Sequence, residues 1–553
     1  MRDRKATERR KDGMGMNWRL PVRIAVAVLP LSVLPSLHHP SSHHPSQSRF
    51  WRPEDRALIS DFSYVTAVAA SPFTVFGATT HGLVVYDRQA RTWRLPVTTL
   101  DGYPASRVRA ALADATGNAV WLGTTGGWAR YDADAQRWDS GFVAGGVSNL
   151  VLDARDAASG VYVQGAFGWS FLPRGAIVPV ADRPLPPPGQ RVQPLDAGTA
   201  LNLAPAAQAL RALILTDPRL RAHRFLSAAR SPDRSDLFFG TDGMGLVRVD
   251  AATAEWENLS YGLLSARAGA VALAPGGVWV ASAGRVAERH GLVWVAADLS
   301  ADTTLAGSGD GPLGFGCVAG RRLVATGRWL WLACERGVVR IATGSYTSRR
   351  FDAAQGLPAD DALSLAPAPD GCWVGTMRGL AVVTNGDKVI PVGNVSQPVL
   401  SLVAVRESLW VGTAGGLRLL APGSSDVAVT PDVAGQPALR APILALTLTG
   451  DTLVAVTPDQ FAWRDPATRA WTLVHARAEL GQVTALAPDE GGVWVGGANG
   501  LAFWDLARAS FRVLHVPDDL PAAVRDVAVE RRWLWVATDS GLVRFARAEA
   551  RGQ

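Results

Sequence analysis

Residues 363–392 read LSLAPAPDGCWVGTMRGLAVVTNGDKVIPV, and this stretch decides the fold prediction. It opens with an alternating apolar run, after which Asp370-Gly371 makes a turn into the apolar segment CWVGT. A tight loop then leads to GLAVV, and a second turn at Asn385-Gly386 leads to KVIPV. Four short strands joined by hairpin turns are therefore predicted, with alternate side chains facing the neighbouring sheets.

The middle of this stretch belongs to a phrase that recurs along the chain. It consists of an apolar residue, an aromatic residue, a second apolar residue, Gly or Ala, Thr, a short loop and Gly-Leu. Clear copies are VWLGTTGGW at 120–128, LFFGTDGMGL at 237–246, CWVGTMRGL at 372–380, LWVGTAGGL at 409–417, VWVGGANGL at 493–501 and LWVATDSGL at 534–542. Looser copies are VFGATTHGL at 75–83, VYVQGAFGW at 161–169, VWVASAGRV at 278–286, LWLACERGV at 330–338 and LVAVTPDQF at 453–461. Their usual spacing agrees with the roughly 40–45-residue period of propeller blades. An all-β propeller fold with about eleven four-stranded blades is predicted.

The number of blades favours two rings, because propellers typically have about 4–8 blades. We expect the first blades in residues 49–300 and the second group in residues 301–553. The last copy of the phrase ends after its third strand, GLVRFAR at 541–547. Part of RFWRPEDRALISDF at 49–62 is expected to supply the missing strand and close the ring, since an unpaired edge exposes backbone N–H and C=O groups.

A long gap separates the third and fourth copies of the phrase. Within it, ALNLAPAAQALRALI at 200–214 is rich in helix-forming Ala and Leu. We therefore predict a helical insertion at about 190–225 and almost no other helix in the repeats. A degenerate twelfth blade is the alternative interpretation.

The N-terminal residues indicate export. A basic stretch that ends at Arg23 precedes the apolar run IAVAVLPLSVLPSL at 24–37. This run is shorter than the about 20 residues that a membrane-spanning helix needs. Residues 1–48 are predicted to be a signal or anchor segment with a linker, and the protein is expected to be periplasmic or secreted. If the segment stays uncleaved, it is the only expected contact with a membrane.

The charge distribution argues against nucleic acid as a partner. The chain has a formal net charge of +6, but residues 1–23 hold eight basic and three acidic side chains, so the remainder is nearly neutral. Proteins that bind nucleic acid usually carry a clear basic excess on one face.

A second phrase, an aromatic residue followed by a loop that often carries Leu-Pro, precedes the first strand of several blades. Examples are RFDAAQGLP at 350–358, WENLSYGLL at 256–264 and FRVLHVPDDLP at 511–521. Together the two phrases resemble the two-component regulator propeller repeat of exported sensor regions. The resemblance covers about residues 50–546 and does not extend to a kinase or an immunoglobulin-like module. It implies two stacked propellers and a sensor-like role, with a carbohydrate as one class of ligand.

No catalytic constellation, metal site or cofactor motif is predicted. The histidines in HHPSSHHP at 38–45 are interpreted as part of the linker, and the other histidines lack metal-ligand spacing. Three cysteines are too few for a disulfide scaffold. Cys317 and Cys334 are expected on neighbouring strands and could form a bridge, but buried thiols are the favoured interpretation for them and for Cys372.

The candidate binding residues follow from the predicted topology. Loops between second and third strands, and loops before first strands, share one face of a propeller. The residues expected there are His81, Thr124, Asp242, Glu335, Arg336, Arg378, Asn499 and Asp539. The favoured function is an exported, non-catalytic, sensor-like module that binds a polar small molecule, a glycan or an envelope protein. The alternatives are a polysaccharide lyase or hydrolase of propeller fold and a structural scaffold of the cell envelope.

Overall fold

The computed structural model describes residues 51–553 apart from 115–117, 181–182, 204–214, 217–221, 284–290, 307–316, 318–319, 476–477, 509 and 553. The expected leader at 1–48 and much of the expected insertion lie outside the described residues. The described part contains eleven four-stranded antiparallel sheets, numbered here in chain order, which confirms the predicted all-β class with propeller-like blades.

The first four sheets occupy the N-terminal part of the chain after strand β1, Arg56–Ile59. Sheet 1 has β2 Val65–Ala70, β3 Thr74–Thr79, β4 Leu83–Asp87 and β5 Thr92–Trp93. Sheet 2 has β6 Val108–Ala113, β7 Ala119–Thr124, β8 Gly127–Asp132 and β9 Arg137–Phe142. Sheet 3 has β10 Asn149–Asp153, β11 Gly160–Gly165, β12 Gly168–Pro173 and β13 Arg191–Val192. The short strands β14 Leu215–Thr216 and β15 Ala222–His223 pair with each other. Sheet 4 has β16 Phe225–Arg230, β17 Asp236–Thr241, β18 Leu246–Asp250 and β19 Trp256–Leu259.

The remaining sheets follow the same plan. Sheet 5 has β20 Ala268–Ala274, β21 Gly277–Ser282, β22 Gly291–Ala296 and β23 Ala301–Ala306. Sheet 6 has β24 Arg322–Thr326, β25 Trp329–Cys334, β26 Gly337–Ala342 and β27 Ser348–Phe351. Sheet 7 has β28 Ala362–Ala368, β29 Gly371–Thr376, β30 Gly379–Thr384 and β31 Val389–Val392. Sheet 8 has β32 Val399–Val405, β33 Ser408–Thr413, β34 Gly416–Leu420 and β35 Val427–Ala428. Sheet 9 has β36 Ala445–Thr449, β37 Thr452–Val456, β38 Gln460–Arg464 and β39 Trp471–His475. Sheet 10 has β40 Val483–Asp489, β41 Gly492–Gly497, β42 Gly500–Asp505 and β43 Ser510–His515. Sheet 11 has β44 Val524–Val529, β45 Trp533–Thr538 and β46 Gly541–Ala546.

Strand β1 completes sheet 11 from the other end of the chain. It pairs antiparallel with β46, with Arg56 opposite Phe545 and Ile59 opposite Leu542. The predicted donation of a strand from residues 49–62 is confirmed by this register. Gly541 has a φ of 141°, and a Cβ there would lie 2.5 Å from the carbonyl oxygen of Ile59, so only glycine fits beside the donated strand.

Helices are few and short in the described residues. The α-helices are α1 Ala197–Asn202, α2 Pro431–Ala434 and α3 Arg547–Arg551. The short 3-10 segments are Thr99–Asp101, Pro188–Gln190, Ala353–Gln355, Pro437–Arg440 and Ala478–Leu480. Only α1 lies in the predicted insertion, and β14 and β15 show that the insertion also contains extended chain, which the Ala- and Leu-rich pattern did not indicate. Within the described residues, no helix is long and apolar enough to span a membrane.

Sheet 3 departs from the predicted strand order. Its β13 pairs with the first strand β10, so the order across the sheet is β12-β11-β10-β13. The residue opposite Phe171 on the outer side, Val180, forms only an isolated bridge. The Pro-rich segment RPLPPPGQ at 183–190 precedes β13, and its prolines cannot donate to a regular ladder.

The Thr of the recurring phrase fixes the turn between second and third strands. The hydroxyl groups of Thr79, Thr413 and Thr538 donate to the carbonyl oxygen three residues later, at 2.7, 2.8 and 2.7 Å. All three side chains are buried. A buried hydroxyl needs a partner, so the phrase carries Thr for the turn rather than for the surface.

The anchor aromatics fill the space between neighbouring sheets, as predicted. Trp494 of sheet 10 packs with Leu534 of sheet 11, and both are fully buried. Two contacts join sheets that are distant in the sequence. Trp535 of sheet 11 packs with Val271 of sheet 5, and Phe238 of sheet 4 packs with residues of sheet 1.

Three aromatic rings bring together the segment after β1, sheet 1 and the segment before sheet 5. Tyr261 lies before sheet 5, and its ring stacks on Phe62, which follows β1, with a centroid separation of 5.8 Å. The other stacking partner is Trp93 of sheet 1, at 4.9 Å. Aromatic pairs at such distances add to the free energy of burial.

Replacing Ile59 with Ala tests the role of the donated strand. Ile59 is fully buried beside Trp535, and truncation of such a side chain costs about 2–5 kcal/mol. We expect a lower melting temperature and more self-association, measured by calorimetry and light scattering. Val178→Ala, at a position with 70% exposure, is the matched control and should stay within about 0.5 kcal/mol of the native protein. Equal melting temperatures for the two variants would contradict the role assigned to β1.

Candidate functional site

Some of the loops that were expected to share a face surround one cavity of about 840 Å³, named here the junction cavity. It is bordered by the segment after β1, by loops between second and third strands of sheets 1, 4 and 11, and by segments that precede sheets 2, 4 and 5. Its charged and aromatic lining residues include Asp61, Tyr64, His81, Arg107, His223, Asp242, Arg267 and Asp539. A cavity of this size suits a ligand with the dimensions of a small molecule or a short oligosaccharide.

Three of the predicted site residues meet at this cavity, namely His81, Asp242 and Asp539. They come from sheets 1, 4 and 11, which are far apart in the sequence. The contact of sheet 4 with sheet 1 and the contact of sheet 11 with sheet 5 bring their loops together.

His81 is oriented by the chain segment that follows β1. Its Nδ1 lies 2.9 Å from the carbonyl oxygen of Asp61 and 3.1 Å from the hydroxyl oxygen of Thr80. A carbonyl oxygen only accepts hydrogen bonds, so Nδ1 carries the proton and Nε2 is the acceptor in the neutral ring. The side chain can therefore accept a hydrogen bond from a polar ligand.

Asp242 accepts hydrogen bonds from two neighbours in the segment that precedes sheet 4. The backbone N–H of Arg224 donates to Oδ1 at 2.9 Å, and Nδ1 of His223 lies 3.2 Å from the same oxygen. Burial alone would raise the pKa of Asp242, but these bonds and the Arg224 guanidinium outweigh burial and lower it. Asp242 is therefore an anion at neutral pH that holds His223 at the cavity wall.

Asp539 is paired with an arginine of its own sheet. Arg525 donates to both carboxylate oxygens, at 2.8 Å from Nε and 2.5 Å from Nη2. This two-point geometry fixes the carboxylate and compensates its charge. The pair also raises the pKa of Arg525.

Two arginines at the cavity are not compensated in this way. Among the described residues, no carboxylate pairs with the guanidinium of Arg107 or Arg267, although both side chains line the cavity. Arg107 is exposed and Arg267 is half-buried. An unpaired guanidinium offers five N–H donors in a fork that matches carboxylate and phosphate groups.

Two smaller cavities adjoin the junction cavity at the same end of the sheets. Arg107 also lines a cavity of about 350 Å³ beside Arg109. Arg267 and Asp539 also line a cavity of about 490 Å³, named here the channel cavity, to which sheets 5–11 all contribute at or near their first strands. Further guanidinium groups at the channel cavity belong to Arg321, Arg322 and Arg525.

The other predicted site residues lie away from the junction cavity. Thr124 is buried, and its hydroxyl donates to the carbonyl oxygen of Gly127 and contacts Ser106, as the turn requires. The remaining residues lie in the loops of sheets 6, 7 and 10 and are Glu335, Arg336, Arg378 and Asn499. The structure does not bring them to the three that meet.

Sequence reasoning missed Arg107, His223 and Arg267. Arg107 and Arg267 each directly precede the first strand of a sheet. Such segments were expected on the candidate binding face, but no residue in them was named. A cation just before the first apolar run was the available signal, as in RVRAALA at 107–113 and RAGAVALA at 267–274. His223 lies in the insertion, where no repeat pattern indicated its position.

A second large cavity, of about 860 Å³, lies at the opposite end of sheets 9–11. Its buried carboxylate, Asp489, is occupied by structural contacts. The carboxylate of Asp489 accepts from Trp494 Nε1 at 2.8 Å and from Arg547 Nε at 3.1 Å, and it also pairs with Arg551. This network anchors helix α3, and the junction cavity is the better candidate for a ligand.

The three cysteines are free and buried, which confirms the favoured interpretation. Cys317 lies outside the strands that were expected to carry it, ahead of β24. Among the described residues, Cys317, Cys334 and Glu335 form one group whose potential metal-ligand atoms all lie within 4.8 Å of one another.

Comparison with known proteins gives structural similarity and no family assignment. No protein-family model matches the chain, and no curated protein matches it. The structure is similar to the extracellular domain of a candidate one-component system from B. thetaiotaomicron, with a TM-score of 0.43, 12% identity and coverage of 87% of this chain and 70% of the other. It is also similar to the extracellular domain of a candidate hybrid two-component system from the same organism, with a TM-score of 0.31, 11% identity and coverage of 88% and 82%. A virginiamycin B lyase from Staphylococcus aureus gives a TM-score of 0.41 at 12% identity and covers 50% of this chain and 94% of the lyase.

Asp242→Asn tests the electrostatic role of this carboxylate. Its folded pKa is lowered, so its contribution to stability is present above the ordinary pKa of Asp, about 3.9, and is lost as the pH falls through the folded value. We expect the substitution to lower the melting temperature at pH 7 and to have a much smaller effect near the folded pKa. Asp451→Asn at an exposed turn is the control. If Asp242→Asn lowered the melting temperature equally at every pH, the negative charge assigned to Asp242 would be contradicted.

Proposed function

We propose that this protein is an exported, non-catalytic binding module and that its ligand is a polar molecule with an anionic group, such as an acidic glycan. The single observation that carries the proposal is the pair of uncompensated guanidinium groups, Arg107 and Arg267, in a cavity where the carboxylates of Asp242 and Asp539 already have cationic partners. The export part of the proposal rests on the basic and apolar pattern of residues 1–37.

The lining of the junction cavity supports a ligand with many hydroxyl groups. Tyr64, Thr80 and Ser265 contribute polar side chains beside His81. A saccharide can exchange hydrogen bonds with such groups, while its carboxylate or sulfate would pair with an arginine. Aspartates on the same walls disfavour a nucleic acid, whose closely spaced phosphates would approach them.

The proposal includes a division of the sheets into two groups. Contacts between first strands join sheets in the order 3-2-1-4, and separately from sheet 5 through sheet 11 and back to sheet 5. Arg322 of sheet 6 also reaches Asp526 of sheet 11 at 3.2 Å and the Thr484 carbonyl of sheet 10 at 2.9 Å, across the channel cavity. We propose one ring of sheets 5–11 with β1, and a second group of sheets 1–4.

This division moves the domain boundary that was expected at residue 300. That residue lies between the paired strands β22 and β23 of sheet 5, so we propose a boundary in the connector 260–267 instead. A crystal structure would show which sheets share a ring and where the boundary between the two groups lies. A single ring of eleven sheets would contradict the proposal.

Binding measurements on the purified protein test the proposed function. The probes are an array of acidic and neutral glycans, followed by calorimetric titration with the acidic oligosaccharide that binds best. A charged hydrogen bond contributes about 1.5–3 kcal/mol, and about 1.4 kcal/mol is tenfold in affinity. Arg267→Ala and Arg107→Ala are therefore each expected to weaken binding by roughly tenfold or more.

Arg508→Ala is the matched control, because its side chain is 82% exposed and it is not part of the cavity lining. Affinity in this variant should equal that of the native protein. The proposed site would be contradicted if no acidic glycan on the array bound the protein. It would also be contradicted if the arginine variants bound the acidic oligosaccharide as tightly as the native protein does. Turnover of any polysaccharide by the purified protein would favour the lyase or hydrolase alternative, and capture of an envelope protein without glycan binding would favour the scaffold.

A further inference from the structure

We propose that Cys317, Cys334 and Glu335 form a binding site for a divalent cation that prefers thiolate ligands, such as Zn²⁺. The site lies in sheet 6, at the loop between β25 and β26, and is independent of the anionic ligand proposed above. The sequence pattern did not indicate it, because the two cysteines lack the close spacing of common zinc motifs.

The geometry of the three side chains fits a metal ion. Both cysteines are buried, while Glu335 is half-buried at the end of the loop. The two Sγ atoms and a carboxylate oxygen lie within 4.8 Å of one another. Tetrahedral zinc, with bonds of about 2.0–2.3 Å, needs ligand atoms about 3.5–3.8 Å apart. The observed separation is close to this spacing, so small rotations of the side chains would bring the three ligand atoms to one ion.

The repeat makes this group of residues unusual within the chain. Cys334 stands opposite Gly337 in the ladder, as Thr413 stands opposite Gly416 and Thr538 opposite Gly541. At those equivalent positions the Thr hydroxyl donates to the glycine carbonyl and stabilises the turn. Sheet 6 thus has a thiol at a position where the fold favours a hydroxyl, and the second thiol packs against it from outside the strand.

Electrostatics at the site favour a cation. The hydrogen bond to Cys334, followed by burial and the charge of Glu335, raises the pKa of Cys317. A bound divalent cation supplies a counter-charge and deprotonates a coordinating thiol. The positive charge of Arg321 lowers the pKa of Cys317 and so favours the thiolate. The same guanidinium also pairs with the carboxylate of Asp361 at 2.9 Å.

The test uses the untagged full chain, reduced and freed of metal, and titrated with Co²⁺ and then Zn²⁺. Thiolate ligands give Co²⁺ an intense near-ultraviolet charge-transfer band, which histidine ligands in residues 38–45 do not. We expect one equivalent of Co²⁺ with this band, displacement by Zn²⁺, and a higher melting temperature with Zn²⁺, since a ligand of the folded state stabilises it.

Cys334→Thr is the decisive variant, because it restores the residue that the repeat uses at this position and keeps the turn. It should lose the thiolate band. Loss of a direct ligand should also weaken Zn²⁺ binding by more than the roughly 10–100-fold that loss of an outer-shell partner costs. Cys317→Ser and Glu335→Gln should weaken binding in the same direction.

Cys372→Ala is the matched control. This thiol is buried in sheet 7 and hydrogen bonds to the carbonyl of Ala366 at 3.4 Å, away from the proposed site. The variant should bind Co²⁺ as the native protein does. The proposal is overturned if native protein gives no thiolate band, if Cys334→Thr binds equally well, or if protein from its native compartment contains a Cys317–Cys334 disulfide.

Discussion

The pairing of β1 with β46 is the interaction on which the rest of the structure depends. It satisfies the backbone groups at the outer edge of sheet 11 and places Leu58 and Ile59 in two different apolar clusters. Without it, the last sheet would have an unpaired edge strand. The apolar clusters around Trp494 and Trp535 would also lose the side chains of Leu58 and Ile59 that pack against them. The strand that contributes these contacts is the first element of the described chain.

The same strand determines the shape of the candidate site. The chain that leaves β1 passes directly along the junction cavity, where Asp61 orients His81 through its carbonyl oxygen. Phe62 follows and stacks on Tyr261, which lies just before the segment that carries Arg267. Packing and the candidate site are thus coupled, because these stacked aromatic residues neighbour the polar groups on the cavity wall.

The sequence predicted the elements well because their signals are local. A two-residue alternation, turn residues and a recurring aromatic anchor specify each sheet, and the missing fourth strand after GLVRFAR indicated the donated one. The same signals could not specify which sheets become neighbours. Val65 and Val271 are both first-strand valines, and nothing in the alternation indicates that one faces Phe238 and the other Trp535.

The candidate site was predicted only in part for the same reason. His81, Asp242 and Asp539 lie in loops whose position follows from the strand order within a sheet. Their position around one cavity, which Arg107 also lines, depends on packing between distant sheets. Thr124 was misjudged because a Thr in a loop suggests a surface hydroxyl, whereas a buried turn uses that hydroxyl itself.

The path of the chain has a consequence for how such a protein can vary. Asp61 and Gly262 form a β-bridge, and a Cβ on Gly262 would lie 2.4 Å from the carbonyl oxygen of Ser60. The chain therefore leaves for sheets 1–4 and returns from them at the same place. Segments whose two ends adjoin can be removed, lengthened or exchanged without displacing the body that receives them. In the proposed division, sheets 1–4 would therefore be exchangeable as a unit, and an exchange would change one wall of the junction cavity while the other wall stayed constant.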